Sequence, residues 1–381
     1  MSGSKRACIL HRIVVLFCSI SASEGKVFSM DHSLYEALLS DCSLCPRKCH
    51  VNRLTGETGY CGQTSQITAA RAALHMWEEP CISGTCGSGA VFFSGCNMGC
   101  VFCQNYSIAQ SAVQMPVSSS RLSDIFLELQ EQKACNINLV TPTHFVPQIA
   151  DAIETARNHG LVIPVVYNTS GYEEVSTLRL LDGLVDIYLP DCKYCSSALS
   201  LRYSNAPDYF EVCGQAIREM IRQTGAPLFY PPSVHPAAFL STDSDRLMCA
   251  ASYNDYVETL SASDTVEESE DYSGPLMKKG VIVRHLVLPG QTADSRNVIR
   301  YLCETFGKDI YISIMNQYTP MPHSAEYPEL TQKVTAKEYD ALIDDAIDFG
   351  LENGFIQGAD TAAESFIPAF DFAGLRAKPD R

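Results

Sequence analysis

The sequence predicts an α/β protein, a parallel sheet covered by helices, with a small cysteine-rich segment in front of it. From about residue 90, unbroken apolar runs of strand length alternate with stretches of helical apolar spacing, which makes about six β/α units. Strands that are apolar along their whole length belong to sheets buried on both faces. Polar residues and glycines gather just after these runs, and in parallel α/β barrels that end holds the active site. An open doubly wound sheet gives the same alternation, so periodicity alone does not choose between the two. Length and composition agree, because 381 residues, 46% of them hydrophobic, suffice for a sizeable core.

Taken in order, residues 1–29 stand apart. Lys5 and Arg6 precede the apolar stretch from Ile13 to Phe17, and small residues follow from Ser19 to Ser23, the outline of a signal peptide. His11 and Arg12 abut that stretch and it is short, so residues 1–29 read instead as an extension outside the folded protein, with the chain proper starting at Met30. Residues 30–85 hold the first cysteine group. The α/β region runs from 86 to 360. Its first strand, Ala90–Ser94, ends in Gly95 and a second cysteine group. Arg121–Ala134 has helical spacing, and Asn138–Val140 runs into Thr141-Pro142-Thr143-His144. Pro147–Asn158 reads as a helix closed by Gly160. Leu161–Tyr167 is a β-branched run ending in Asn168-Thr169-Ser170-Gly171. The short helix Glu173–Leu181 leads to Val185–Leu189 and Pro190-Asp191. Val281–Leu288 ends in Pro289-Gly290, helix Ala293–Phe306 precedes strand Ile310–Met315, and Asp340–Leu351 precedes a last run at Gly354–Gln357. Ser241 to Tyr272 breaks the rhythm with nine Asp/Glu against one Arg, a charge of −8, and reads as the heart of a mobile acidic surface insertion over about 232–276. Residues 361–381 make a carboxyl-terminal tail.

Charge and cysteine content narrow the function. Lys+Arg 28 against Asp+Glu 44 leave −16, which opposes binding by phosphate neutralisation, so no nucleic-acid partner is expected. No run approaches the roughly 18 apolar residues that cross a membrane, and no membrane partner is expected. The 17 cysteines are odd in number and too sparse for a disulfide scaffold. Seven of them fall in two tight groups, Cys42, Cys45, Cys49 and Cys61, then Cys96, Cys100 and Cys103. Clusters of this kind in a large, enzyme-like chain point to metal or iron–sulfur ligation in a reducing compartment, hence the cytoplasm.

Cys96-Asn97-Met98-Gly99-Cys100-Val101-Phe102-Cys103 directly follows the first strand. Three thiolates from one short loop can hold three irons of a [4Fe–4S] cluster and leave the fourth open, as a catalytic centre needs. The alternative is a zinc site completed by a distant His144, His285 or His323. The first group, in which four thiolates can close a site, suits a zinc ion or a second [4Fe–4S] cluster, and spacing does not choose between them.

The loop, with Phe92-Phe93-Ser94-Gly95 before it and Gln104-Asn105 after it, resembles the radical S-adenosylmethionine (radical SAM) enzymes. Within them it is similar to the PflX-like branch, named after pyruvate formate-lyase activating enzyme. The resemblance runs from about Cys42 to Gln357. It is carried also by Gly56-Glu57-Thr58-Gly59-Tyr60-Cys61, Trp77-Glu78-Glu79-Pro80, Thr141–His144, Leu189-Pro190-Asp191 and Arg284-His285-Leu286-Val287-Leu288-Pro289-Gly290. It implies a partial (β/α)6 barrel and two cofactors, the [4Fe–4S] cluster on Cys96, Cys100 and Cys103 and S-adenosylmethionine chelated to its open iron. An electron from the cluster would cleave the sulfonium, and the 5′-deoxyadenosyl radical would abstract hydrogen from the substrate. The resemblance places Phe102 against the adenine, and the Asn168–Gly171 turn, with Asn168 and Ser170, and Asp191 and Lys193 against the ribose and methionine part. Asp191 and Lys193 otherwise read as a surface ion pair at a strand end. Arg284 is a further cofactor candidate, although Arg284 and His285 alternate along one strand and only one can face inward. The Gly-Gly-Glu usual after the second strand is absent, and Thr141–His144 stands in its place.

The family name implies activation of a glycyl-radical enzyme, with a flavodoxin- or ferredoxin-type electron donor. Activases with extra clusters usually carry them after the signature cysteines, whereas here the extra cysteines come first. The alternative is radical modification of another protein or of a small molecule, as in the similar AmmeMemo-type proteins. From another class comes a non-catalytic zinc or iron–sulfur protein. Cys81 with Cys86, and Cys192 with Cys195, are close pairs read as incidental, and Trp77 reads as a packing residue. Asn316-Gln317-Tyr318 and His323 are the substrate-side candidates.

Overall fold

The computed structural model describes residues 32–239, 241–261, 272, 274–357 and 368–377. The expectations for residues 1–29, for 262–271 of the acidic stretch and for part of the tail lie outside the described residues. The strands are β1 (Thr68–His75), β2 (Ser88–Phe93), β3 (Met115–Pro116), β4 (Ile137–Val140), β5 (Val165–Thr169), β6 (Ile187–Pro190), β7 (Leu228–Phe229), β8 (Met248–Cys249), β9 (Met277–Leu286), β10 (Tyr311–Met315) and β11 (Gly354–Ile356). β2, β4, β5, β6, β9, β10 and β11 pair in parallel, in that order. β1 runs antiparallel along β2 and carries the short β3 on its other side. Among the described residues the pairing begins at β3 and ends at β11 without closing, so the sheet is a mixed, mainly parallel one of the partial-barrel kind.

Side-chain alternation divides this sheet into two unlike faces. Val91, Phe93, Ile137, Leu139, Val165, Tyr167, Val281, Val283, Ile312 and Ile314 share one large apolar cluster with helix residues such as Leu122, Phe126, Ile149, Ile217, Val298 and Leu342. That is the helix-covered face, and the unbroken apolar strands follow from it. On the opposite face Ala90, Phe92 and Val140 make one small cluster, and Val166, Ile187, Leu189, Ile282 and Tyr311 make another. Asn138, Asn168, Arg284 and Ser313 occupy the same parity, so this inner face is the more polar of the two.

Several elements depart from the sequence reading, each for a physical reason. β5 begins at Val165 rather than Leu161, because Pro164 has no N–H to give to a ladder; it contributes only its carbonyl, to Ile137 N–H at 2.8 Å. Helices Ser197–Ser204 and Tyr209–Thr224 fill the span after β6, where no element was expected. The described part of the acidic stretch is built onto the sheet rather than loose on the surface. β8 pairs with β7, β7 pairs with β9, and helix Ala250–Ser261 stacks Tyr253 on Phe229 with ring centroids 3.9 Å apart. Residues 368–377 lie along β1: Phe372 N–H donates to Ala70 O at 2.9 Å and Ala72 N–H to Ala373 O at 2.8 Å.

Candidate functional site

The loop after β2 turns at Gly95, whose φ of +91° favours glycine; a Cβ there would lie 2.7 Å from the Cys61 carbonyl oxygen. The turn sends Cys96, Cys100 and Cys103 over the carboxyl ends of the parallel strands. Cys96 Sγ accepts from Met98 N–H at 3.3 Å, and Cys100 Sγ accepts from Ser204 Oγ at 3.0 Å. Tyr194 Oη lies 2.8 Å from the same Ser204 hydroxyl. Burial pushes the Cys100 and Cys103 thiols up, and the charges of the three cysteines on one another push them further; the Lys193 ammonium pulls both down. The three sulfurs and this ammonium therefore occupy one electrostatic neighbourhood.

The ends of β5 and β6 supply the rest. Lys193 pairs with Asp191, and the pair is largely buried rather than at the surface. Burial opposes the ammonium, but Asp191, Cys100 and Cys103 outweigh it and hold Lys193 charged. Tyr209 Oη donates toward Ser170 O at 2.7 Å and Asp191 O at 2.8 Å and accepts from Lys193 N–H at 3.0 Å, so one hydroxyl ties the two strand ends together. Ser170 Oγ stands 3.5 Å from Asn97 Oδ1, which links β5 to the cysteine loop. The Asn168 amide is half-buried and has no hydrogen-bond partner among the described residues. Phe102 is buried edge-on against Tyr194, Tyr203 and Tyr318, so its ring serves packing and only its backbone remains for a ligand. Arg284 faces inward, as strand alternation requires for one of the pair, but its guanidinium is taken by Glu78 and Glu79. His285 faces the helices and donates its Nδ1–H to Cys192 O at 2.7 Å.

Two of the three histidines are committed to backbone carbonyls, and the third, His323, lies beside the backbone of Cys103. His144 donates Nε2–H to Ser94 O at 2.7 Å; burial and Arg53 bring it down to about 3, so it is neutral. His323 stacks on Tyr106 with centroids 4.0 Å apart, and its Nε2 has no partner. Beside it Gln104 Nε2 donates to Gln317 O at 3.2 Å, and Asn316 N–H donates to Gln357 Oε1, which puts the substrate-side candidates at the loop's open flank.

Cys42, Cys45, Cys49 and Cys61 form a second neighbourhood. Burial raises Cys45 to about 12, and Cys61, Glu173 and Cys42 add to that. Cys61 is raised by burial and by Cys42 and Cys49, against the pull of Arg53. Nearby, the buried Glu173 is pushed up to about 7 by desolvation, against three hydroxyl donors, Thr143, Thr169 and Tyr167. The incidental pairs regroup in space: Cys192 meets Cys213, and Cys86 meets Cys135, not the neighbours in sequence. Trp77 is 41% exposed and borders a hollow of about 180 Å3 with His75 and Phe92, so it is not a core residue. Sequence reasoning missed Ser204, Tyr194, Tyr209 and Arg47, which carry no motif and act only through their place in the fold, and it gave no role to Asn97 within the cysteine loop.

No three His, Cys, Asp or Glu side chains among the described residues close around a single ion. Thiolate sulfur is a ligand for zinc and for iron–sulfur clusters alike. Three soft sulfurs sensing one another, N–H and O–H donors to sulfur and a buried ammonium fit thiolates around an anionic cluster.

No family model matches the chain. An uncharacterised protein of Methanocaldococcus jannaschii is 24% identical over 325 residues, which is 83% of this chain and 77% of that protein. Among solved structures, the chain is similar to Streptococcus suis SuiB bound to S-adenosylmethionine, with 10% identity and a TM-score of 0.39. It is also similar to SuiB bound to the precursor peptide SuiA, with 12% identity and a TM-score of 0.38. These matches each cover 69% of this chain and 48% and 46% of SuiB, so the chain spans less than half the length of that protein. At such values the likeness is too loose to place a residue or a ligand.

Proposed function

We propose that the chain is a radical SAM enzyme whose catalytic cluster rests on Cys96, Cys100 and Cys103. The observation that carries this reading is the meeting of the three thiols, their Ser204 and Met98 donors and the Lys193 ammonium at the carboxyl ends of parallel strands. Cys96, Cys100 and Cys103 would hold a [4Fe–4S] cluster, which when reduced would supply the electron for cleavage of S-adenosylmethionine to methionine and a hydrogen-abstracting 5′-deoxyadenosyl radical. The chain's part is to bind, orient and exclude water. Lys193 offers an ammonium to the cofactor's carboxylate, Asp191 and Ser170 offer oxygens to hydroxyls, and Asn168 offers an uncommitted amide. Phe102 contributes backbone beneath its aromatic packing.

Radical modification of another protein or of a small molecule suits the chain better than activation of a glycyl-radical enzyme. The extra cysteines precede the sheet and dock onto the catalytic loop, instead of following it as in activases. The four-cysteine segment, whose Cys45 and Cys61 sense the other cysteines of the group, is read as a site for zinc or for a second iron–sulfur cluster. A flavodoxin- or ferredoxin-type donor and a reducing cytoplasm accompany this reading.

The test is 5′-deoxyadenosine formation from S-adenosylmethionine by anaerobically reconstituted, dithionite-reduced protein. Iron incorporation with product formation is the expected result, and failure to take up iron together with no product would overturn the reading. Within it, Lys193→Met is expected to raise the KM for S-adenosylmethionine about 10- to 100-fold, the worth of one charge-assisted hydrogen bond, with iron content retained. Titrating the cofactor against both proteins checks this, and an unchanged KM would remove Lys193 from the cofactor site.

A further inference from the structure

The cysteine loop is held from outside the sheet. Arg47, between Cys45 and Cys49, donates Nε–H to Asn97 O at 2.8 Å, Nη2–H to Ser204 O at 3.0 Å and Nη1–H to Asn205 O at 2.5 Å. Asn97 lies inside the loop, between its first two cysteines. Ser204 and Asn205 end the helix Ser197–Ser204, where carbonyls lack intrahelical partners and partial negative charge collects. That helix end grips the loop in turn, since Tyr203 O accepts from Val101 N–H at 2.9 Å and the Ser204 hydroxyl donates to Cys100 Sγ. One guanidinium thus joins both sides of the grip.

Its plane is fixed by aromatic rings. The Arg47 carbon lies 3.9 Å from the centroid of Tyr60 and 5.2 Å from that of Tyr172. Tyr60, next to Cys61, also donates its hydroxyl to Met98 O at 3.0 Å. Gly99, at φ +66°, leaves room beneath this ring, for a Cβ there would stand 3.3 Å from the Tyr60 hydroxyl.

We propose that the amino-terminal cysteine segment is a clamp on the catalytic loop, with Arg47 and Tyr60 as positioning residues that set the placement of Cys96 and Cys100. This rests on the reading of that loop as the cluster site. Lysine cannot replace Arg47, because three carbonyls and a ring face are met by a flat fork and not by a point charge.

Hydrogen–deuterium exchange on the metal-free chain tests the proposal, with Arg47→Gln, Arg47→Lys and Tyr60→Phe beside the native protein. Exchange over residues 96–103 is expected to accelerate about tenfold in Arg47→Gln, with no rescue in Arg47→Lys, and about threefold in Tyr60→Phe. On the iron-loaded proteins, the midpoint potential is expected to shift and the KM for S-adenosylmethionine to rise about fivefold with kcat within twofold. Native exchange over 96–103 in all three variants overturns the clamp, as does acceleration spread evenly over the chain. If the native chain takes up no iron, the proposed activity fails, while exchange on the metal-free chain still judges the clamp.

Discussion

Cys96→Ala, Cys100→Ala and Cys103→Ala are each expected to reduce 5′-deoxyadenosine formation to the background of cluster-free protein. The reason lies in how few ligands the site has. On the proposed reading, three thiolates hold three irons and leave one open for the cofactor, so none of the three is spare. Removing a group that merely orients a ligand typically costs about 10- to 100-fold in metal affinity or activity, and loss of a ligand itself exceeds that. Cys100→Ala also strands the Ser204 hydroxyl, whose donor hydrogen bond ends on that sulfur. Iron per chain and product yield should fall together. Cys303→Ala is the control, because Cys303 stands on helix Thr292–Phe306 with no place in either cysteine group, and it should retain both. Full iron and product in any of the three loop variants would sink the assignment of the cluster to this loop.

The parts of this picture that were legible in the sequence are those whose determinants are local. The spacing of Cys96, Cys100 and Cys103 is a property of eight successive residues, and the apolar strands announce a sheet covered by helices through composition alone. Strand alternation predicts that only one of Arg284 and His285 faces inward, and Arg284 is the one that does. The partners of these residues are a different matter. Ser204 is 104 residues from Cys100, and Arg47 is 158 from Asn205, so their meeting depends on which loops the topology brings together. The same holds for Cys192, whose hydrogen-bond partner is Cys213 on the helix Tyr209–Thr224 rather than Cys195 three residues on. Periodicity reports which face a side chain takes, and it is silent on what waits there. The acidic stretch misled for a related reason: its charge describes an exposed side, while Tyr253, a single buried anchor, decides that the helix docks.

Arg284→Gln is expected to destabilise the chain by about 3–5 kcal/mol at neutral pH, lowering Tm by roughly 4–6 °C. Arg284 donates Nε–H to Glu79 Oε1 at 2.8 Å and its Nη2 to both Glu79 and Glu78, and all three side chains are at most 10% exposed. Asn138 Nδ2 completes the group with a bond to Glu78 Oε1 at 2.7 Å. Without the guanidinium two buried carboxylates face each other with no cation between them. The pH dependence follows. In the native chain burial alone would push Glu78 up, but Arg284, His75 and Asn138 outweigh it and hold its pKa below the usual range. That contribution is present above the unfolded value near 4.3 and is lost as pH falls through the lower folded value. In the variant, the burial of Glu78 is no longer opposed by the guanidinium and raises its carboxyl instead. Its contribution is then present at low pH and is lost as pH rises through the raised folded value. The gap in Tm between native and variant should therefore be widest at pH 7.5 and narrow toward pH 5. Thermal melts of cofactor-free protein at the two values decide it. A gap that is absent without cofactor, while the KM for S-adenosylmethionine rises, would mean that Arg284 serves the cofactor and not the floor of the sheet.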